Sequence, residues 1–206
     1  MRRKNQNKFL LGITGSIGSG KSTVLSMFGE CGAVTISSDQ IARQFTEKDT
    51  PILHELIEIF GNEIVDTNGN ISRAKIAELA FSNQEKLQSL NAILHPKVRK
   101  QFLELFENTK EGSIVAWEVP LLFETDAHKI CDATLTVYVS PDTAWERVKN
   151  RGGMPKEDFL RRVSAQMDIE KKKSLSDFLV SNDNSKEELE ASVRNIYNQI
   201  EKKVIR

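Results

Sequence analysis

The sequence predicts an α/β fold: a parallel sheet of about five strands flanked by helices, with a helical insertion and a lid-like segment. Three observations carry this. Short apolar runs rich in β-branched residues recur at residues 9–14, 33–36, 114–119, 133–139 and 178–180. Helical patterns separate most of them, and that alternation implies parallel pairing, because a parallel neighbour needs a crossover connection. A glycine-rich segment follows the first run, where strand should turn into helix.

The elements follow in order. Residues 9–14 read as a buried strand feeding a tight turn, and Val24, Leu25, Met27 and Phe28 give residues 22–29 a helical face to pack on the sheet. Residues 33–36 are the second strand, and 40–47 begin another helix. From 51 to 109 the pattern is helical throughout. Pro51 opens a helix through Leu53, Leu56, Ile57 and Phe60, halted by Gly61, and Ser72 caps the next, through Ala74, Ile76, Ala77 and Ala80. Leu87, Leu90, Ile93 and Leu94 mark a third, expected to stop before Pro96, and Val98, Phe102, Leu105 and Phe106 a fourth. The strands resume at 114–119 and 133–139, the latter running into Ser140-Pro141, an N-cap followed by proline at the first helical position. Residues 141–173 are helical and cation-rich with a break at Arg151-Gly152-Gly153; residues 186–204 form a terminal amphipathic helix. The expected domains are a core of 8–47, 112–140 and 174–206, a helical domain at 48–111 and a lid at 141–173.

The composition narrows the function. In 206 residues, 29 Lys and Arg balance 29 Asp and Glu, which argues against a protein whose main partner is duplex DNA. A local basic site for an anionic small molecule is still allowed. The length fits one domain with insertions or two small ones, and a core of this size needs no disulfide or metal staple. Cys31 and Cys131 form neither a disulfide framework nor a metal cluster, and read as small apolar residues in a reducing compartment. Arg2, Arg3 and Lys4 precede apolar residues, but Gly12, Thr14 and Gly15 interrupt that stretch before it reaches the length of a secretory signal. No run approaches the roughly 18 apolar residues of a membrane span. The expectation is a cytoplasmic protein.

The chemistry concentrates first at Gly15-Ser16-Ile17-Gly18-Ser19-Gly20-Lys21-Ser22, a full G-x-x-x-x-G-K-[ST] match lying between a predicted strand and a predicted helix. Glycines let the backbone curl so that consecutive N–H groups point at a phosphate chain, and the helix that follows adds its positive end. Lys21 is placed to reach the β- and γ-phosphates, and the Ser22 hydroxyl to join a Mg²⁺ bridging them. The loop therefore reads as a nucleoside triphosphate site. A guanine-specific switch is disfavoured: Asp66-Thr67-Asn68-Gly69 fits D-x-x-G but follows a helix as a polar turn, and Asn182-Asp183-Asn184 lacks the lysine and second aspartate that select guanine.

Asp39 ends the second predicted strand, on the carboxyl edge where ligands of parallel sheets gather. A carboxylate there can orient an acceptor hydroxyl, take its proton or hold Mg²⁺ through water; it can equally be the N-cap of residues 40–47. Glu118 ends the third strand, either as a second metal-side group or as a buried glutamate with a salt partner. Arg147 and Arg151, four apart on one helical face, and Arg161 and Arg162 lie in the lid segment, where an arginine can neutralise a transferring phosphoryl group or simply face solvent. Lys171-Lys172-Lys173 reads as a solvated face. His54, His95 and His128 show no ligand spacing, and His95, directly before Pro96, reads as an extended boundary residue first and a substrate contact second.

In these residues the chain resembles the dephospho-coenzyme A kinases. The match runs through Gly12-Ile13-Thr14 and the glycine-rich loop, Ser38-Asp39-Gln40-Ile41-Ala42-Arg43, Phe60-Gly61, and Asp66 to Arg73. It continues through Ile93-Leu94-His95-Pro96-Lys97-Val98-Arg99, Val119-Pro120-Leu121-Leu122-Phe123-Glu124, the Arg147, Arg151 and Gln166 pattern, and Ser176 to Asn182. The Leu-His-Pro and Pro-Leu-Leu-Phe-Glu segments are the most selective. The resemblance implies a P-loop nucleoside-triphosphate-hydrolase-like three-layer core and transfer of the ATP γ-phosphoryl, with Mg²⁺, to the 3′-hydroxyl of dephospho-coenzyme A. It implies ATP contacts from Gly15, Ser16, Ile17, Gly18, Ser19, Gly20, Lys21, Ser22 and Thr23, with Asn182 bordering the adenine. It implies catalytic roles for Asp39, Lys21, Arg147 and Arg151, and acceptor contacts from Thr14, Asp39, Arg43, His95 and Leu121. Ser22, with waters, and Glu118 are the implied metal-side residues. No nucleic acid or membrane partner is expected, and a monomer and a small homo-oligomer fit equally.

The chain departs from the family pattern at Ser37, where a first aspartate is usual, at Glu118, where aspartate is common, and at Ser176, where alanine is frequent, a harmless change. Two other readings remain at this stage. A nucleoside or nucleoside-monophosphate kinase would share the core, although the helical insertion looks larger than a small acceptor needs. A non-catalytic nucleotide-binding switch would keep the loop but have no use for Asp39.

Overall fold

The computed structural model describes residues 8–47, 50–152 and 154–204. Contacts divide the chain into two units: one from the chain up to Ser37 together with Asn108 onward, the other Ser38–Glu107.

The first unit is built on a parallel sheet in the order β2-β3-β1-β4-β5. Its strands are β1 (Phe9–Gly15), β2 (Val34–Ser37), β3 (Ile114–Glu118), β4 (Ala133–Tyr138) and β5 (Phe178–Ser181). The register pairs Leu11 with Ala116 on one side and with Ala133 on the other, so β1 is central. Alternate residues then divide between the two faces. Leu11, Ile13, Ala116, Leu135 and Val137 join one core with Val24 and Phe28 of α1 (Lys21–Glu30) and with Leu189, Val193, Ile196 and Ile200 of α9 (Lys186–Val204). On the other face, a Cβ added to Gly12 would lie 2.8 Å from Cys131 Sγ and 3.0 Å from Leu122. Thr14 and Thr136 meet α8 (Ile169–Leu175) there, through the Lys172 ammonium and carbonyl. Covering both faces makes the unit a three-layer α/β structure.

Between β4 and α8 run α6 (Pro141–Gly152) and α7 (Lys156–Ser164). They carry a small core of their own, with Phe159 and Ala144 packed against Trp145, Val148 and Ile17. Ser140 accepts the Thr143 N–H at 3.3 Å, the cap expected before Pro141. Gly153 of the expected break, like Arg2, Arg3 and Lys4, lies outside the described residues. Cys31 and Cys131 are both half-buried, and neither is in a disulfide.

The second unit contains α2 (Ser38–Gln44), α3 (Leu53–Phe60), α4 (Arg73–Ser82) and α5 (Gln84–Glu107) around Ile52, Leu56, Phe60, Ile64, Ile76 and Ala80. Ser72 caps α4 by accepting the Lys75 N–H at 3.2 Å. Asp66 Oδ1 accepts the Asn68 and Asn70 N–H groups at 2.8 Å each, closing the polar turn read from the sequence.

Two expectations fail here. The helices expected on either side of Pro96 are one helix of 24 residues, with Pro96 inside it. Proline removes one backbone donor, but Leu87, Leu90, Ile93 and Leu94 before it pack on the unit's core, and Phe102 and Phe106 after it are buried. His95 is therefore helical rather than extended. Asp39 is the second residue of α2 rather than its N-cap, since the helix starts at Ser38, directly after β2. Within the second unit α2 packs on α5, and Gln44 and Gln101 hydrogen-bond at 2.6 Å.

Candidate active site

The glycine-rich loop leaves β1 at its carboxyl end and enters α1. A Cβ at Gly15 would stand 2.1 Å from the Val137 carbonyl, so no other residue lets the loop start so close to β4. Gly20 takes φ +85° and occupies the N-cap of α1 without a side-chain cap. The first turn of α1 thus has no side-chain cap, and a helix N-terminus favours an anion. Lys21 is buried, its Nζ donating to the Gly15 and Ser16 carbonyls at 3.1 and 2.9 Å. Its charge is held inside the curl of the loop. Ser22 is exposed and Thr23 half-buried on the first turn of α1.

A cavity of about 250 Å³ adjoins the loop, lined by Gly20, Thr23, Arg147, Arg151, Asn182, Asn184, Lys186 and Leu189. Asn182 is buried and ties three elements together. Its N–H donates to Tyr138 O at 2.9 Å, its side-chain amide to Ser19 O at 2.8 Å, and its carbonyl accepts Arg147 Nη2 at 2.7 Å. Arg147 Nη1 is buried without a hydrogen-bond partner among the described residues and lies 4.0 Å from where a Gly20 Cβ would be. A buried, unpartnered guanidinium nitrogen beside a phosphate-type loop is a ready anion contact. Arg151 is exposed on the same cavity wall. Arg161 instead pairs with Asp158, and burial lowers the Arg162 pKa against the pull of Asp158.

Next to the Arg147 contact, the Ser140 N–H donates to Asp183 at 3.0 Å. Burial pulls the Asp183 carboxyl up, but the Ser140 N–H, the Ser140 and Thr143 hydroxyls and the Arg147 charge outweigh it and hold the carboxyl below its ordinary value.

Glu118 is buried at the end of β3, and Ser37 Oγ donates to its Oε2 at 2.8 Å. Ser37, a neutral donor, therefore meets the Glu118 carboxyl without the like-charge repulsion an aspartate at this position would bring. Oxygen groups such as Ser22 and Glu118 suit Mg²⁺, which keeps several waters. No cluster of three or more His, Cys, Asp or Glu that could hold a metal ion exists among the described residues.

Thr14 is buried and donates to Pro120 O at 3.1 Å; Leu121 is half-buried just beyond β3. In the second unit, Asp39 and Arg43 are exposed on α2. His95 sits on α5 with part of its ring withdrawn from water, and that desolvation lowers its pKa.

Lys172, expected on a solvated face, is fully buried, 2.9 Å from Glu124 Oε1 and donating to Pro120 O at 2.7 Å. Its partners Thr14, Pro120 and Glu124 are remote in sequence, so the lysine run itself carries no signal of this burial. Desolvation lowers its pKa, opposed by the Glu124 carboxylate.

The dephospho-CoA kinase family model matches residues 9–188. The chain belongs to the dephospho-CoA kinase family. It is 43% identical over 192 residues to the dephospho-CoA kinase of Leptospira interrogans, covering 93% of each chain. Among solved structures, it is similar to TT1252 from Thermus thermophilus, with TM-score 0.77, 32% identity and coverage of 94% and 98% of the two chains. The dephospho-CoA kinase from Campylobacter jejuni matches with TM-score 0.69 and 27% identity over 95% of this chain and 98% of that one. The family segments quoted from the sequence fall on the P-loop, on α2, on α5 around His95, and on the turn after β3. No helix among the described residues is long and apolar enough to cross a membrane.

Proposed function

We propose that this chain makes coenzyme A by direct in-line phosphoryl transfer, with the glycine-rich loop, Arg147 and Arg151 holding ATP and Asp39 serving the acceptor. The reaction follows from family membership: ATP phosphorylates dephospho-CoA, the last step of coenzyme A biosynthesis. The observation that carries the residue assignments is Arg147, bonded through one nitrogen to Asn182 while the other stands buried and unpartnered beside Gly20.

In this reading the backbone N–H groups of residues 15–23 and Lys21 hold the phosphate chain, and Asn182 borders the adenine. The 3′-oxygen of the acceptor ribose forms a bond to the γ-phosphorus as the bond to the β,γ-bridging oxygen breaks. The hydroxyl proton passes to Asp39, and ADP leaves. No covalent phosphoenzyme intervenes. Arg147 and Arg151 neutralise charge on the transferring group, an effect that can reach about 10³-fold in rate. Ser22 and Glu118 are the residues that would hold Mg²⁺, through waters, and the ion when bound would supply charge neutralisation to the phosphate chain. Thr14, Arg43, His95 and Leu121 contact the acceptor, and the 141–173 segment closes to exclude water. We place the enzyme in the cytoplasm, as a monomer or small homo-oligomer.

A coupled ADP-release assay with Mg-ATP tests this, comparing dephospho-CoA with AMP, CMP and adenosine. Turnover with dephospho-CoA alone, with coenzyme A identified by mass, is the expected result. Release stimulated by a nucleotide instead would overturn the acceptor. ATP binding without any acceptor-stimulated release would replace the kinase with a switch.

A further inference from the structure

Burying an ammonium group is costly, and it is tolerated only where partners replace the lost water. Lys172 has no exposed side-chain surface, although Lys171 beside it is exposed. Its Nζ donates to Pro120 O at 2.7 Å, pairs with Glu124 Oε1 at 2.9 Å and reaches Thr14 Oγ1 at 3.5 Å. Thr14 Oγ1 donates to the same Pro120 carbonyl at 3.1 Å. Glu124 Oε1 in turn accepts the Met167 N–H at 2.8 Å, from the segment joining α7 to α8.

These contacts converge on residues 120–124, the turn at the carboxyl edge of β3. Proline has no N–H, so the carbonyl is the only polar handle on Pro120. Two donors from different elements fix that carbonyl, and peptide planarity then fixes the direction of the following Leu121 N–H. The Leu121 carbonyl is fixed as well, accepting the Thr125 N–H at 3.1 Å and the Thr125 hydroxyl at 2.7 Å. The backbone on both sides of Leu121 is therefore set by partners outside it. The charged member of that set is Lys172, from a helix reached only after the 141–164 segment.

We propose that Lys172 is a positioning residue for the phosphoryl acceptor: its ammonium holds the 120–124 turn in the conformation that receives dephospho-CoA. This rests on the reading that the turn meets the acceptor. The role is distinct from nucleotide binding, because Lys172 makes its two short contacts to the turn and only a long one to Thr14, ahead of the glycine-rich loop.

The test uses Lys172→Met, Lys172→Arg, Glu124→Gln and Leu121→Ala in the full chain, assayed well below each variant's melting temperature. ATP affinity is measured by equilibrium titration without acceptor, and kcat and KM for dephospho-CoA at saturating ATP. For Lys172→Met, kcat/KM for dephospho-CoA should fall by about ten- to a hundredfold while the ATP Kd stays within about twofold. Lys172→Arg should recover part of the loss, and Glu124→Gln, which keeps an acceptor for Met167, should show a smaller loss of the same kind. Parallel loss of ATP and acceptor parameters, or no change in either, would overturn the proposal. Leu121→Ala separates the two layers: a raised acceptor KM there with wild-type behaviour in Lys172→Met rejects Lys172 alone. An unchanged KM in Leu121→Ala rejects the reading that the turn meets the acceptor, and the proposal with it.

Discussion

The Asn182 side-chain amide donates to the Ser19 carbonyl at 2.8 Å, so the residue after β5 and the phosphate loop share a hydrogen bond. That contact exists because Gly20 has no side chain: a Cβ there would stand 2.2 Å from Asn182 Nδ2. Gly20 also takes φ +85°, a conformation costing an L-residue about 1–2 kcal/mol. Gly20→Ala must displace Asn182, and with it the Arg147 contact. Isothermal titration should show the ATP Kd raised by about tenfold or more, the equivalent of roughly 1.4 kcal/mol.

Asp39→Asn should leave ATP affinity near wild type and reduce kcat by about 10²–10⁴-fold, the range for a general base in proton transfer. Asparagine keeps the size of the side chain and its place in the first turn of α2, so the loss reports on proton acceptance rather than on folding. An unchanged kcat would remove Asp39 from the reaction.

Arg151 is exposed on the wall of the cavity beside Gly20 and is free of the Asn182 tether that holds Arg147. Arg151→Ala should lower kcat by up to about 10³-fold with little change in melting temperature. Arg147→Ala should lower both, because its guanidinium also holds the Asn182 carbonyl. Comparing the two melting curves separates these roles.

Asp183 contributes to the pH dependence of stability with a defined sign. Its folded-state pKa lies below the unfolded one, so its contribution is present above the unfolded value, about 4, and is lost as pH falls through the folded value. In Asp183→Asn that part of the acid sensitivity should vanish. Thermal melts from pH 6 to pH 2.5 should show a shallower decline for the variant below about pH 4.

Pro96 interrupts the backbone ladder within α5 and is exposed there. Replacing it with alanine restores a donor and a better helix former. Pro96→Ala should raise stability by about 1–3 kcal/mol, measurable by urea denaturation. A loss of stability would mean that α5 depends on the local geometry proline imposes.

Much of this architecture could be read before any coordinates. All five strands fall where the apolar runs lie, because the central strands β1, β3 and β4 are buried on both faces and leave a continuous signature, and the terminal helix follows its amphipathic pattern. The glycine-rich loop was equally legible, since its chemistry is written in local spacing. Pro96 misled because a local rule about proline was outweighed by packing on both sides of it. Lys172 was hidden for a different reason: its partners Thr14, Pro120 and Glu124 come from two distant stretches, and no local pattern announces a buried ion pair. The arrangement of Asn182 with Ser19 and Arg147 likewise depends on three separated segments meeting at one carbonyl and one amide. Only the strand order brings those segments together.

The strand order also constrains how the chain is made. β3 lies between β1 and β2 and pairs with both, yet it follows the whole Ser38–Glu107 excursion in sequence. On a ribosome, β1 and β2 emerge early with their shared partner still unsynthesised, and two apolar strands must wait with unpaired edges. The helices of the intervening unit, rich in local contacts, can form during that interval, whereas the sheet must close long loops before it gains any ladder. The phosphate loop, strung from β1, therefore acquires its shape late in synthesis, and exposed strands in nascent chains are the stage at which aggregation and chaperone capture compete with folding.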